Sequence, residues 1–212
     1  MRSIYNGADC GFMKKLIVVT LPDYLEGEGA LINALFAAGL ELLHLRKPEN
    51  SEQKFRKLMM EIKPEHYPAI SIHQHHELAE EFSIRRLHFT GPHRMLIEDT
   101  DLDKLHLQGF CLSSSIHDLD ELQNLYGFDY VFFGPVFNSI SKIGYHSMVN
   151  DDFVLPPHAV NIFAIGGVEK DRLEKLKEMH FDGAAVLGTL WHMHLSPLLE
   201  FEKITKAMLD LH

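Results

Sequence analysis

Cysteine is scarce in this 212-residue chain, which carries only Cys10 and Cys111. One lies in the N-terminal stretch and the other in a predicted strand, so no disulfide framework is expected and a reducing, cytoplasmic setting is the expectation. Long apolar runs are missing as well. No stretch reaches the roughly 18 residues that a membrane-crossing helix needs, so no membrane partner is expected. Positive charge is the minority sign. Twenty Lys and Arg stand against 30 Asp and Glu, for a formal net charge of -10 without a basic block, which argues against a nucleic-acid partner. The first twelve residues lack the apolar core of a secretory signal. Residues 1–12 read as a loose tail, with Met13 as an alternative start, and 13–212 as one domain.

Against these absences, 46% of the residues are hydrophobic, and they fall into short runs. Strand signals cover Leu16–Leu21, Glu41–Arg46, Ala69–His73, Arg86–Phe89, Gly109–Ser113, Tyr130–Phe133, Asn161–Ile165 and Gly183–Leu187. Helical spacing separates most of them. It runs over Leu31–Ala38, then from a Ser51 cap to about Ile62, and over Glu77–Phe82, His117–Tyr126, Glu169–Met179 and Pro197–Leu209. Thr90–Leu107 is ambiguous, a loop with a short helix. The strands read as apolar throughout, as in a parallel sheet covered by helices. About eight strand signals at roughly 25 residues per unit predict an α/β fold, a single (β/α)8 TIM barrel.

In such a barrel the working residues sit at the C-terminal strand ends. That rule selects His44 and Arg46 on one face of the second strand, His73 and Gln74 after the third, His88 on the fourth and Ser113–Ser115 on the fifth. After the sixth comes a polar loop with Ser139, Ser141 and Lys142, and after the seventh and eighth come Gly166-Gly167 and Gly188-Thr189. The glycine pairings suit a phosphate site built from backbone N–H groups. Arg46 offers a bidentate grip and Lys142 a point charge for a second anion.

These residues together resemble the thiamine phosphate synthase family and its thiazole tautomerase-like branch, over most of Leu16 to Leu190. Phe133-Gly-Pro-Val-Phe-Asn-Ser-Ile-Ser-Lys142 is similar to the family's Gly-Pro-Val-Phe…Thr-x-Ser-Lys loop. Ser115-Ile-His117 resembles its Ser-x-His, Leu45-Arg46 its Gln-Leu-Arg strand, and Ala164-Ile-Gly-Gly-Val168 with Gly183 to Gly188 its thiazole-phosphate site. The resemblance implies a transferase that joins hydroxymethylpyrimidine diphosphate to thiazole phosphate and releases pyrophosphate, with Mg²⁺ holding the diphosphate. Arg46 and Lys142 would grip the diphosphate, with Ser115 nearby, and Gly167 and Gly188 would hold the thiazole phosphate. Ser139, Ser141, Gly166 and Thr189 are further substrate-binding candidates.

The chain departs from that pattern at the metal. The family's third strand ends Asn-Asp-Arg, where this chain has His73-Gln74-His75. After strand four the family has Gly-Gln-Asp-Asp, where Phe89-Thr-Gly-Pro-His93 carries no carboxylate. The family's acidic Mg²⁺ ligands are thus missing, and a hard cation prefers carboxylate oxygen. His44, His73 and His88 end three neighbouring strands and could bind a softer metal such as Zn²⁺ or, when protonated, a phosphate. Two alternatives follow. One is an isomerase acting on a thiazole phosphate, with His44 or His73 as acid or base. The other is an inactive barrel that binds thiazole phosphate or thiamine phosphate. Every reading implies small phosphorylated ligands, and a homo-oligomer is compatible with all of them.

Overall fold

The computed structural model describes residues 15–49, 51–138, 147–150, 152–191 and 196–211. Eight parallel strands close into a barrel in chain order. They are β1 (Lys15–Val19), β2 (Leu42–Leu45), β3 (Ile70–Ile72), β4 (Arg86–Phe89), β5 (Cys111–Ile116), β6 (Tyr130–Phe133), β7 (Asn161–Ile165) and β8 (Gly183–Val186). The described helices are α1 (Glu28–Ala37) and α2 (Glu52–Glu61), α3 (Gly91–Arg94) and α4 (Asp99–Leu107), then α5 (Leu173–Glu178) and α6 (Pro197–Leu209). Closure is made by β1 against β8, where Lys15, Leu16, Ile17 and Val18 pair with Gly183, Ala184, Ala185 and Val186. The fold is a (β/α)8 barrel, as the strand count and spacing predict.

Strand parity sorts each side chain to one of two cores, because alternate residues point to opposite faces. The outward set, including Val18, Leu43, Ile72, Val131 and Ala164, packs under the helices against Ile32, Phe55, Met59, Phe201 and Ile204. Each such large side chain contributes about 1.5–3 kcal/mol on burial. The inward set on one side is apolar: Ile17, Val19, Phe132, Phe163 and Ala185, with Tyr130. The opposite side, from β2 to β5, buries His44, Ser71, His73, His88 and Ser113 instead. The strands are therefore not apolar throughout. In β2 and β4 the polar His44 and His88 face the barrel axis, where His44 meets His73 and Tyr130 and His88 meets Ser113; in β5 Ser114 has the outward parity and bonds the Phe89 carbonyl instead.

Other differences from the sequence reading have local causes. Thr90–Leu107 holds both α3 and α4, but α4 buries only Leu102, which leaves no apolar stripe to detect. Glu77–Phe82 and His117–Tyr126 reduce to 3-10 turns at His76–Leu78 and Leu119–Asn124. The second is opened by a reciprocal Asp118–Glu121 capping box but buries no residue fully, so nothing drives it into a longer helix. Glu169–Met179 divides into a 3-10 turn at Lys170–Arg172 and the short α5. Strand β5 begins later than Gly109 and runs through three serines. The Ser114 hydroxyl donates to the Phe89 carbonyl at 2.8 Å, which binds it to β4. The Ser51 cap stands where predicted and accepts the Lys54 N–H. Replacing Ser51 with alanine is expected to cost about 1 kcal/mol in a urea unfolding series.

Candidate active site

Three imidazoles meet inside the polar half of the barrel. His44 Nδ1 lies 3.0 Å from His73 Nε2, so one N–H stands between two neutral rings. His44 Nε2 meets the Tyr130 hydroxyl at 2.7 Å. His88 is held on both sides, by Ser113 Oγ at 2.9 Å and Ser115 Oγ at 3.0 Å. Its ring stacks on His73 with centroids 3.9 Å apart. Burial is the main reason that His44 and His73 bind protons far more weakly than usual, with His88 adding repulsion to each. Burial likewise pushes His88 down to about 3, with His76 and Arg46 contributing. All three are neutral near pH 7. Desolvation thus works against the protonated form that a phosphate grip by these histidines would need.

Arg46 sits one residue past β2, half-buried. Its charge reaches His73 and His88, which places it over the histidine cluster. Its peptide N–H donates to Thr20 Oγ1 at 3.0 Å. The next residue, Lys47, is among the largest fully buried side chains. Lys47 Nζ donates to the carbonyls of Leu21 at 2.9 Å and Asp23 at 2.7 Å, and to Glu28 Oε1 at 2.7 Å. Its own peptide N–H donates to Gln74 Oε1 at 2.7 Å. The ends of β1, β2 and β3 are thus tied at the point where Arg46 emerges. The adjacent histidines are packed as well. His75, at the N-cap of the His76–Leu78 turn, is buried beside the Phe55 ring with centroids 5.0 Å apart. His76 is half-buried, with Nε2 at 3.1 Å from the Ile72 carbonyl.

The glycines after β7 are required by their neighbours. Gly166 has φ 93° and Gly167 φ 63°. A Cβ on Gly166 would lie 2.7 Å from Pro135, and one on Gly167 would lie 2.7 Å from the Asn138 carbonyl oxygen. The β6 and β7 loops therefore press together, with Val136 N–H donating to Ile165 O and Phe137 N–H to Gly166 O, both at 3.0 Å. The Thr189 hydroxyl donates to the Val168 carbonyl at 2.6 Å, joining the β7 and β8 loops. Arg172, which the sequence reading missed, donates to the Gly167 carbonyl at 3.2 Å and lies over the Phe137 ring. Gly166→Ala is expected to cost about 1–3 kcal/mol by urea unfolding, since it adds positive-φ strain and overlap with Pro135. Gly167 and Gly188 thus share one end of the barrel with Arg46 and Ser115. Ser139, Ser141 and Lys142 lie outside the described residues.

The residues present do not suit Mg²⁺. The only group of three or more close metal-ligating side chains among the described residues is His44, His73 and His88, which offers no carboxylate. Gln74, where the family has its acidic ligand, already has its side-chain oxygen engaged by Lys47.

Strand-end residues gathered at one rim of a closed parallel barrel define the class of (β/α)8 enzymes. Within that class, the thiamine monophosphate synthase family model matches residues 16–190, and the chain belongs to that family. Over 80 residues it is 36% identical to the thiamine-phosphate synthase of Prochlorococcus marinus, a match covering 36% of this chain. The chain spans only 23% of the length of that curated relative. Thiamine phosphate pyrophosphorylase from Bacteroides thetaiotaomicron superposes with a TM-score of 0.71 at 28% identity, covering 93% of this chain and 98% of that one. The pyrophosphorylase from Pyrococcus furiosus shares the fold, with a TM-score of 0.70 at 16% identity over 93% and 96% of the two chains.

Proposed function

We propose that the protein joins hydroxymethylpyrimidine diphosphate to thiazole phosphate, releasing pyrophosphate and forming thiamine phosphate. The observation that carries this reading is the family match over residues 16–190, with Arg46 and the glycine loops at one rim of the barrel. The C–O bond to the diphosphate breaks, and pyrophosphate leaves with the electron pair. The thiazole nitrogen supplies the pair for the new C–N bond. Such a step needs stabilisation of leaving-group charge and alignment of two substrates rather than a protein nucleophile. Arg46 and Lys142 supply the positive charge, with Ser115, Ser139 and Ser141 around them. Gly166, Gly167, Gly188 and Thr189 receive the thiazole phosphate. No step is routed through Mg²⁺, because the donor set does not fit it.

His44 and His73 take no part in bond making in this reading. His44 is fully buried with both ring nitrogens engaged, so it is not offered to a ligand at the rim. That gives the isomerase alternative no support. Among the described residues no helix is long and apolar enough to cross a membrane. Small phosphorylated substrates and a cytoplasmic setting complete the proposal.

The test is a synthase assay with both substrates and Mg²⁺, following thiamine phosphate. Turnover is expected, and Arg46→Ala and Lys142→Ala should each lower kcat/KM by about 10²–10³-fold, the effect of removing one charge-stabilising group. A folded protein that forms no product overturns the synthase reading. Thermal stabilisation by thiazole phosphate alone would then identify a binding protein.

A further inference from the structure

The histidine cluster is left without a role by this chemistry, and its arrangement is more specific than a buried polar core requires. Three adjacent parallel strands deliver one imidazole each: His44 within β2, His73 just beyond β3 and His88 within β4. One nitrogen from each ring lies within 4.8 Å of the others. His44 Nδ1 and His73 Nε2 already face each other at 3.0 Å. In a tetrahedral zinc site with Zn–N near 2.0–2.1 Å, neighbouring ligand nitrogens stand about 3.3 Å apart. Two of the three ligands are therefore close to ligating separation.

The outer contacts also have the form of a metal site. The remaining nitrogen of His44 meets the Tyr130 hydroxyl, and His88 Nδ1 meets Ser113 Oγ. Such partners fix the ring orientation and tautomer of a ligating histidine. They leave His88 Nε2 as the third ligand atom, currently against the half-buried Ser115 hydroxyl, which can rotate to another partner. His88 is stacked on His73, so its ring must swing out of that stack for Nε2 to aim at an ion shared with His73. The donor chemistry sets the metal class. Imidazole without carboxylate suits Zn²⁺, Cu²⁺ or Ni²⁺ rather than Mg²⁺ or Ca²⁺. Arg46 and Arg86 oppose a bare dication there, so an anionic oxygen is expected as the fourth ligand.

We propose that His44, His73 and His88 form a trihistidine site inside the barrel for a borderline-soft divalent cation, Zn²⁺ in the first instance. The site stands independently of the synthase reading, and its test uses no activity. Full-length protein freed of metal by a chelator is titrated with Co²⁺. One Co²⁺ per chain with the intense visible bands of tetrahedral coordination is expected, displaced by an equivalent of Zn²⁺. X-ray absorption of the zinc form should show three imidazole ligands. His73→Gln and His88→Gln should each weaken Zn²⁺ binding by at least about a hundredfold. Should either variant fail to fold, the imidazole count in the unaltered protein decides. Zinc held by fewer than three imidazoles, an octahedral cobalt spectrum or the absence of saturable binding overturns the proposal.

Discussion

Taking the metal-free protein from pH 7 to pH 5 is expected to remove several kcal/mol of stability, measured by urea unfolding at each pH. The cause is the buried histidine cluster. In the folded chain burial holds His44 and His73 far below the ordinary imidazole value, and His88 at about 3. In the unfolded chain the same rings titrate near 6.5. Between those values the unfolded state binds more protons, so stability rises with pH. The contribution is fully present above about pH 6.5 and is lost as pH falls toward the folded values. Each ring contributes a slope of up to about 1.4 kcal/mol per pH unit, and the three together about 4. Arg46, Arg86 and His76 face the cluster and resist its protonation further. His158 works the other way, since its hydrogen bond to Asp182 raises its proton affinity. Its stabilisation is present below about pH 6.5 and is lost as pH rises through the folded value. One half-buried pair of this kind, binding a single proton, offsets little of a three-proton loss. With total stabilities of about 5–15 kcal/mol, acid unfolding near pH 5 is the expected result. His88→Gln should lower the slope by about one proton. A flat stability profile between pH 7 and pH 5 would show that the cluster is not a neutral, desolvated one.

The strands were the most legible part of the chain, because β-branched and aromatic runs bounded by Gly and Pro depend on local sequence alone. Tyr130–Phe133, Asn161–Ile165 and Arg86–Phe89 were found to the residue. His44, His73 and His88 were placed together by counting strands, since adjacent parallel strands in a barrel put their ends side by side. What they do there was not legible. Whether a histidine is charged depends on the side chains that exclude water from it, and those come from Tyr130 and Phe132, far along the chain. The same limit hid Arg172, whose position depends on the β6 loop meeting the β7 loop. Glu77–Phe82 and His117–Tyr126 were legible only as helical spacing and not as 3-10 turns, because spacing alone does not tell how few residues a segment will bury. Lys47 was missed for a more instructive reason: a lysine after a strand, before a proline, is ordinarily a solvated stop signal.

Lys47→Met is expected to destabilise the protein by about 3–5 kcal/mol, the usual cost of breaking a buried ion pair on one side. Both side chains of the Lys47–Glu28 pair are 0% exposed. Burial pushes the Glu28 carboxyl up and the Lys47 ammonium down. In each case desolvation outweighs the attraction of the partner, which means that the pair holds its place through geometry rather than large net energy. Removing Lys47 strips one hydrogen bond from each of two carbonyls and leaves a buried carboxylate without its cation. Replacing both partners, as in Lys47→Met with Glu28→Leu, removes the uncompensated charge and should recover most of the loss, because two apolar side chains of similar volume need no partner. Function separates from stability in this pair. Lys47 fixes Leu21, Asp23 and Glu28 after β1, and its backbone holds Gln74 after β3. Arg46 is thereby presented from a frame tied on both sides. The double variant should regain stability in urea yet keep a reduced kcat/KM, since nothing in it restores the ties to the Leu21 and Asp23 carbonyls. A single variant that unfolds at the same urea concentration as the parent would mean that water reaches the pair and that the frame around Arg46 is held by other contacts.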